Sequence, residues 1–294
     1  MAALVAGHGL HPRRALGQHF VADPNTVRRI ARLADVVPGE RVVEIGAGLG
    51  SLTLALVETG AAVTAIEVDP HLLPALRSVV EPAGAAVVEG DAMTLDWDAL
   101  LGSAGSGAGG SGGAGGSGGA GGGAGRGWVL VANLPYNVAT PLVANLLDGV
   151  PAIERMLVMV QREVGERLAA GPGEPAYGAV SVKVSYWASA EVVGLVPATV
   201  FVPRPRVSSA LVAIRRRPAP AVDPNVVSAP ELFALVRTAF GQRRKMLRRS
   251  LAALVPGDAW GPAGVAPDAR PEELGVEAWG RLAAASAGAA AGRA

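Results

Sequence analysis

Short apolar runs alternate with amphipathic segments along most of this chain, and that alternation limits the folds open to it more than any other feature. "RVVEIGA" (41–47) predicts a strand, "SLTLALVETG" (51–60) a helix ending at Gly60, and "AVTAIEVD" (62–69) a second strand. "HLLPALRSVV" (71–80) predicts a helix, "AAVVEGDA" (85–92) a third strand, and "WVLVANLP" (128–135) a fourth. "TPLVANLLDG" (140–149) predicts a helix with Thr140 as N-cap, Pro141 in its first turn and Gly149 past its end, and "RMLVMVQ" (155–161) a fifth strand. Runs such as Val129-Leu130-Val131-Ala132 carry no polar alternation, as expected of strands covered on both faces. The expected fold is α/β, a mainly parallel, doubly wound sheet.

One segment interrupts the alternation. Residues 102–127 contain sixteen glycines and no large apolar side chain. Such a stretch buries too little to offset its ordering entropy and is expected to be a flexible, disordered insert. The rest of the 294 residues is ample for a core. With no cysteine, disulfides, thiolate metal sites and cysteine nucleophiles are excluded, and four scattered histidines give no expectation of a metal centre. The first twenty residues lack a signal-peptide pattern and no apolar run is long enough to span a bilayer, so a cytoplasmic protein with no membrane partner is expected.

The net charge of +1 hides a segregation: between Arg204 and Ser250, eleven Arg or Lys face only Asp223 and Glu231. Concentrated positive charge suits a polyanion partner, although a solvated helix face would look the same.

Ligands of doubly wound sheets sit at the carboxyl ends of the strands, near the switch in strand order. Here the first strand runs into "EIGAGLGS", where Gly46, Gly48 and Gly50 allow a tight turn and close approach of a ligand to the backbone. Glu67 ends the second strand, where an acid accepts the ribose hydroxyls of a nucleoside. Asp91 ends the third, placed to accept from an adenine amino group. A nicotinamide dinucleotide and S-adenosyl-L-methionine both satisfy this pattern.

The fourth strand ends in "NLPY" (133–136), which resembles the Asn/Asp-Pro-Pro-Tyr signature of methyltransferases acting on exocyclic amino groups of nucleobases. The residue types suit that chemistry. An aryl amine is a poor nucleophile because its lone pair is delocalised into the ring. The Asn133 side-chain oxygen and a backbone carbonyl of Leu134 or Pro135 can each accept one N–H, drawing the nitrogen toward tetrahedral geometry with its lone pair aimed at the methyl donor. Pro135 fixes the turn, and Tyr136 offers a ring face to the base.

Beyond this signature, the chain resembles the KsgA family of small-subunit (16S) ribosomal RNA adenine N6-dimethyltransferases. The resemblance runs through "LGQHFVADPNTVRRI", "VVEIGAGLGSLT", "IEVD", "GDA", "NLPYNVATPL", "MVQREVGERLAAGPGEPAYGAVSVKV", "VFVPRPRVSSALV" and "AFGQRRKMLRRSL". It implies a Rossmann-like S-adenosylmethionine-dependent methyltransferase domain over residues 1–218 and a small C-terminal α-helical domain over 219–294 that docks on the ribosome. It also implies a monomer that dimethylates two adjacent adenines near the 3′ end of small-subunit rRNA during subunit biogenesis. By position, the cofactor contacts would be His19, Val21, Gly46, Gly48, Glu67, Asp91 and Asn133. The catalytic group would be Asn133, Leu134, Pro135 and Tyr136, with Phe201 closing on the flipped adenine from the side opposite Tyr136. His19 departs from the family's usual asparagine.

Extruding an adenine costs a few kcal/mol. Stacking returns ~1–3 kcal/mol per base, so two rings roughly offset the extrusion. Phosphate affinity would come from Arg204, Arg206, Arg243, Arg244, Lys245, Arg248 and Arg249. In "RRKMLRRSLAAL" a helix is expected with Leu247, Leu251 and Leu254 on one face and the cations over the rest. A dehydrogenase would share the glycine turn and Glu67 but has no use for "NLPY". An Erm-type enzyme acting on large-subunit RNA would share the first domain, and a non-catalytic assembly factor of the same fold would share the basic segment.

Overall fold

The structure, a computed structural model, describes residues 19–103 and 127–291. Most of the glycine tract, expected to be a disordered insert, lies outside the described residues, as does the N-terminal segment. Strand β1 (Phe20–Val21) leads into helix α1 (Pro24–Leu33), whose start is fixed by Asp23: its carboxylate accepts from the Asn25 and Thr26 backbone N–H groups. Pro24 occupies the first turn, and Val27, Ile30 and Ala31 form the buried stripe.

Then strands and helices alternate as expected: β2 (Arg41–Ile45), α2 (Ser51–Val57), β3 (Ala62–Glu67), α3 (Leu73–Val80), β4 (Ala86–Glu89), α4 (Trp97–Ser103), β5 (Trp128–Asn133), α5 (Ala139–Gly149) and β6 (Ile153–Gln161). Helices α6 (Arg162–Ala169) and α7 (Ala179–Trp187) follow, then β7 (Ala188–Val196), β8 (Phe201–Val202) and β9 (Ser209–Arg216). The chain ends with α8 (Ala229–Phe240), α9 (Leu247–Ser250), α10 (Trp260–Ala263) and α11 (Val276–Ala291).

The main sheet has the order β4-β3-β2-β5-β6-β9-β7 among the described residues, with β1 and β8 pairing separately as an antiparallel ribbon. β2 pairs in parallel with both β3 and β5, which also pair in parallel with β4 and β6. The chain therefore winds one way through β3 and β4 and the other way from β5. The switch lies between the carboxyl ends of β2 and β5, where the glycine turn and "NLPY" were expected to meet.

Alternate residues of these strands, such as Val42, Val129, Val131, Leu157 and Met159, pack with α1, α2 and α3 in one core cluster. The intervening residues Val43, Ile45, Leu130, Ala132 and Val158 are buried too, as are Leu142, Val143, Leu146 and Leu147 of α5. Burial on both faces is the physical reason the strands read as unbroken apolar runs.

The start of α5 differs from the expectation. The helix begins at Ala139, and the N–H groups of Val138 and Ala139 both bond the Pro135 carbonyl at 3.2 Å. The "NLPY" turn itself supplies the acceptor, so Thr140 is not the cap, and Gly149 is the last helical residue.

The chain divides into two compact units: residues up to Gln161 with Val193–Ala213, and Arg162–Val192 with Ile214 onward. This differs from a single boundary after residue 218. The reason lies in packing: Tyr177, Val182 and Tyr186 join Leu232, Phe233, Val236, Trp279 and Leu282 in one buried cluster, with Tyr186 edge-on to Phe233 at 5.2 Å. Helices α6 and α7 thus belong with the C-terminal helices. In that unit, α8 opens with a capping box in which the Ser228 side chain accepts from the Glu231 N–H and the Glu231 carboxylate accepts from the Ser228 N–H.

The long basic helix is absent. Residues 241–245 form turns and α9 is a single turn in which Leu247 is buried, as is Leu251 just past its end, while Leu254 is 45% exposed. Met246 is extended, and the Leu247 and Arg248 N–H groups bond the carbonyls of Ala269 and Pro267, so the backbone pairs with another loop instead of continuing a helix.

Candidate active site

At the end of β2, Gly46, Gly48 and Gly50 have φ of +73°, +59° and +81°. A side chain in this left-handed region costs about 1–2 kcal/mol per residue, which is why glycine recurs here. The turn is stitched to β3: the Gly46 and Ala47 N–H groups donate to the Ile66 carbonyl, and the Gly48 N–H donates to Glu67 Oε2 at 2.8 Å.

Glu67 is 4% exposed, and its Oε1 accepts from the Val68 and Asp69 N–H groups at 3.0 and 2.9 Å. Burial pushes its carboxyl up from the usual glutamate range, opposed by these three backbone bonds. Oε1 takes two of these bonds and Oε2 only one, so the carboxylate is oriented and Oε2 keeps a free acceptor direction for a hydroxyl group.

β5 delivers the other wall. The Asn133 Nδ2 donates to the His19 carbonyl at 2.9 Å, which orients the amide and leaves Oδ1 as the acceptor. Leu134 is 2% exposed and its N–H donates to the Met159 carbonyl, anchoring the turn in the core. The Tyr136 hydroxyl lies 3.2 Å from Ser209 Oγ, and burial raises its pKa.

One cavity is lined by His19, Gly46, Gly48, Glu67, Asn133, Leu134, Pro135 and Tyr136, so most of the expected cofactor and catalytic residues converge. Gly46 sits against β5 closely enough that a Cβ there would lie 3.6 Å from the Asn133 carbonyl oxygen. Val21 lines an adjoining cavity with Glu44, Gly46 and Asn133.

Two expected residues stand apart. Asp91 lies two residues beyond β4, exposed, with Oδ1 accepting from the Met93 N–H, and it lines neither cavity. The family resemblance implied that Phe201 closes on the flipped adenine from the side opposite Tyr136, whereas the residue read by itself suits a core plug. It is 3% exposed, lies in β8 opposite Val21, and packs in the core cluster with Val27 and Ile30. A ring flanked by apolar neighbours on a paired strand gains more by burial than by facing the cavity.

Glu44 was missed. It is 2% exposed, its Oε2 accepts the Thr53 hydroxyl at 2.5 Å, and burial pushes its carboxyl up to about 8, helped by the nearby Glu67 charge. The available signal was a lone acid inside an apolar strand.

The expected phosphate-binding residues fall in both units. In the first, Arg204 and Arg206 are exposed. In the second, Arg244, Lys245, Arg248 and Arg249 are exposed, whereas Arg243 is bound: its Nη2 donates to the Pro175 carbonyl at 3.1 Å and its Nε lies 3.7 Å from Glu272. Among the described residues, no helix is long and apolar enough to cross a membrane.

The chain is similar to known proteins over nearly its whole length. Residues 9–285 match the family described as Ribosomal RNA adenine dimethylase. A relative named Ribosomal RNA small subunit methyltransferase A, from Thermobifida fusca (strain YX), is 45% identical over 291 residues, covering 95% of this chain and 92% of the relative. Among solved structures, the 23S rRNA methyltransferase ErmE is 25% identical with a TM-score of 0.65, covering 90% of this chain and 98% of that one. A dimethyladenosine transferase from Plasmodium falciparum superposes with a TM-score of 0.70 at 21% identity, covering 90% and 95%, a likeness of fold.

Proposed function

The chain belongs to the ribosomal RNA adenine dimethylase family, and on that premise we propose that it dimethylates the N6 amino groups of two adjacent adenines near the 3′ end of small-subunit rRNA. The observation that carries this reading is the meeting of "NLPY" with the glycine turn and Glu67 in one cavity at the switch point of the sheet. A small-subunit substrate is favoured over a large-subunit one because the relative named for the small subunit is 45% identical over nearly the whole chain, against 25% for the 23S enzyme.

S-adenosyl-L-methionine fits the residues present: left-handed glycines give bare backbone at the turn, and Glu67 is a fixed carboxylate beside it. It would supply an electrophilic sulfonium methyl. Glu67 would accept the ribose hydroxyls, Gly46 and Gly48 would let the ligand approach the backbone, and Asp91, two residues beyond β4, would meet the adenine amino group.

The target adenine would present its amino group to the Asn133 Oδ1 and to a turn carbonyl. Because the Pro135 carbonyl already accepts two N–H groups at the start of α5, that second acceptor falls to Leu134. Two acceptors polarise the amine and aim its lone pair. The product ammonium then loses its proton to water. Arg244, Lys245, Arg248 and Arg249 would bind the RNA backbone, together with Arg204 and Arg206. With assembling subunits as its substrate, the protein would work in the cytoplasm.

The test is labelled methyl transfer to unmethylated small subunits, large subunits and naked RNA in parallel. Small subunits alone should be labelled, with two methyls on each of two adenines. Labelling confined to large subunits would replace this reading with the Erm-type one, and no labelling at all with a non-catalytic assembly role.

A further inference from the structure

Three interactions converge on His19 from other parts of the chain. Its Nδ1 lies 2.7 Å from the Pro203 carbonyl. A carbonyl oxygen only accepts, so Nδ1 carries the hydrogen and donates it. Its ring stacks on Tyr136 with centroids 5.4 Å apart and planes inclined by 28°. Its own carbonyl accepts from Asn133 Nδ2.

Two of these interactions fix the orientation of the imidazole itself. The donating nitrogen is tied to the segment after β8, and one face of the ring is covered by tyrosine. Tyr136 is meanwhile pinned at its far end by Ser209. A tyrosine with its hydroxyl tethered and one face covered has a single face left to offer. Stacking a base on that face fixes its plane, and so fixes where its amino group sits relative to the Asn133 oxygen.

We propose that His19 is a positioning residue for the target base: its ring backs Tyr136 and its carbonyl orients Asn133. This inference rests on the methyltransferase reading above and deepens it. The family's usual asparagine could donate to Pro203 but has no ring to place behind Tyr136, so the backing is a contribution of this chain's own residue.

The variants separate the two side-chain interactions. His19→Ala removes both, His19→Asn can keep the hydrogen bond without the ring, and His19→Phe keeps a ring without the donor. kcat and KM on unmethylated small subunits, cofactor Kd by calorimetry and thermal unfolding would be measured for each.

At saturating cofactor, His19→Ala should lower kcat about tenfold, equivalent to ~1.4 kcal/mol of barrier. His19→Phe should recover most of that loss, and His19→Asn should stay close to alanine. Should His19→Ala fold poorly, the comparison of phenylalanine with asparagine decides alone.

A His19→Ala enzyme at the parent kcat, or one with cofactor binding weakened several-fold at an unchanged kcat, would overturn the proposal. So would recovery by asparagine and not phenylalanine. A parent protein inactive on small subunits would defeat the methyltransferase reading and this inference with it, an outcome distinguished by appearing before any variant is made.

Discussion

Replacing Asn133 by alanine removes two things of different size. The first is the Oδ1 acceptor aimed at the substrate amine; removing one preorganised polar group of this kind costs ~2.7–4 kcal/mol of barrier, or about 10²–10³ in rate. The second is the Nδ2 bond to the His19 carbonyl at 2.9 Å, an ordinary neutral hydrogen bond contributing ~0.5–1.5 kcal/mol to stability. The rate should therefore fall far more than stability does. Asn133→Asp retains an acceptor but turns an oxygen toward the His19 carbonyl in place of the donor, so it should fall between the parent and alanine. Single-turnover methyl transfer to small subunits at saturating cofactor is the assay. Cofactor Kd must be measured alongside, because Asn133 lines the same cavity as Glu67. An alanine variant that methylates within a few-fold of the parent, at matched cofactor occupancy, would refute the role given to Asn133.

Neutralising Arg244, Lys245, Arg248 and Arg249 should flatten the salt dependence of subunit binding by nearly one log-log unit for each phosphate no longer neutralised, leaving cofactor affinity unchanged. Arg243→Gln, which breaks the bond to Pro175, should instead lower the melting temperature and barely alter the salt slope. Glu44 carries a raised carboxyl pKa, so the folded state binds its proton more tightly than the unfolded chain; the resulting penalty is absent below the ordinary glutamate value of 4.5, grows with pH, and is complete above about 8. Glu44→Gln, which can still accept from Thr53, should remove that decline, read as a higher melting temperature at pH 8 and a flatter profile across the same range. Phe201→Ala should cost ~3–5 kcal/mol of stability as a core truncation, whereas Phe201→Leu should stay close to the parent in both melting and methylation. A leucine variant that melts normally yet loses methylation more than tenfold would return the ring to the base.

Wherever local chemistry sufficed, the sequence already determined the outcome. Runs such as 129–132 are apolar on both sides because their strands are covered on both faces, and glycines at 46, 48 and 50 mark a turn whose left-handed backbone excludes other residues. The convergence of that turn with Glu67 and "NLPY" followed from the winding rule for parallel sheets. Where long-range partners competed, the sequence was silent or misleading. Phe201 sits between prolines and basic residues, and only the pairing of β8 with β1 puts its ring in the core. The cations of 243–249 look alike in a row, yet the Pro175 carbonyl and Glu272 take Arg243 out of the exposed set. The pairing of Leu247 and Arg248 with Ala269 and Pro267 stops a helix that periodicity favoured. The stack of His19 on Tyr136 joins residues 117 positions apart in the sequence, through geometry that only the folded backbone can supply.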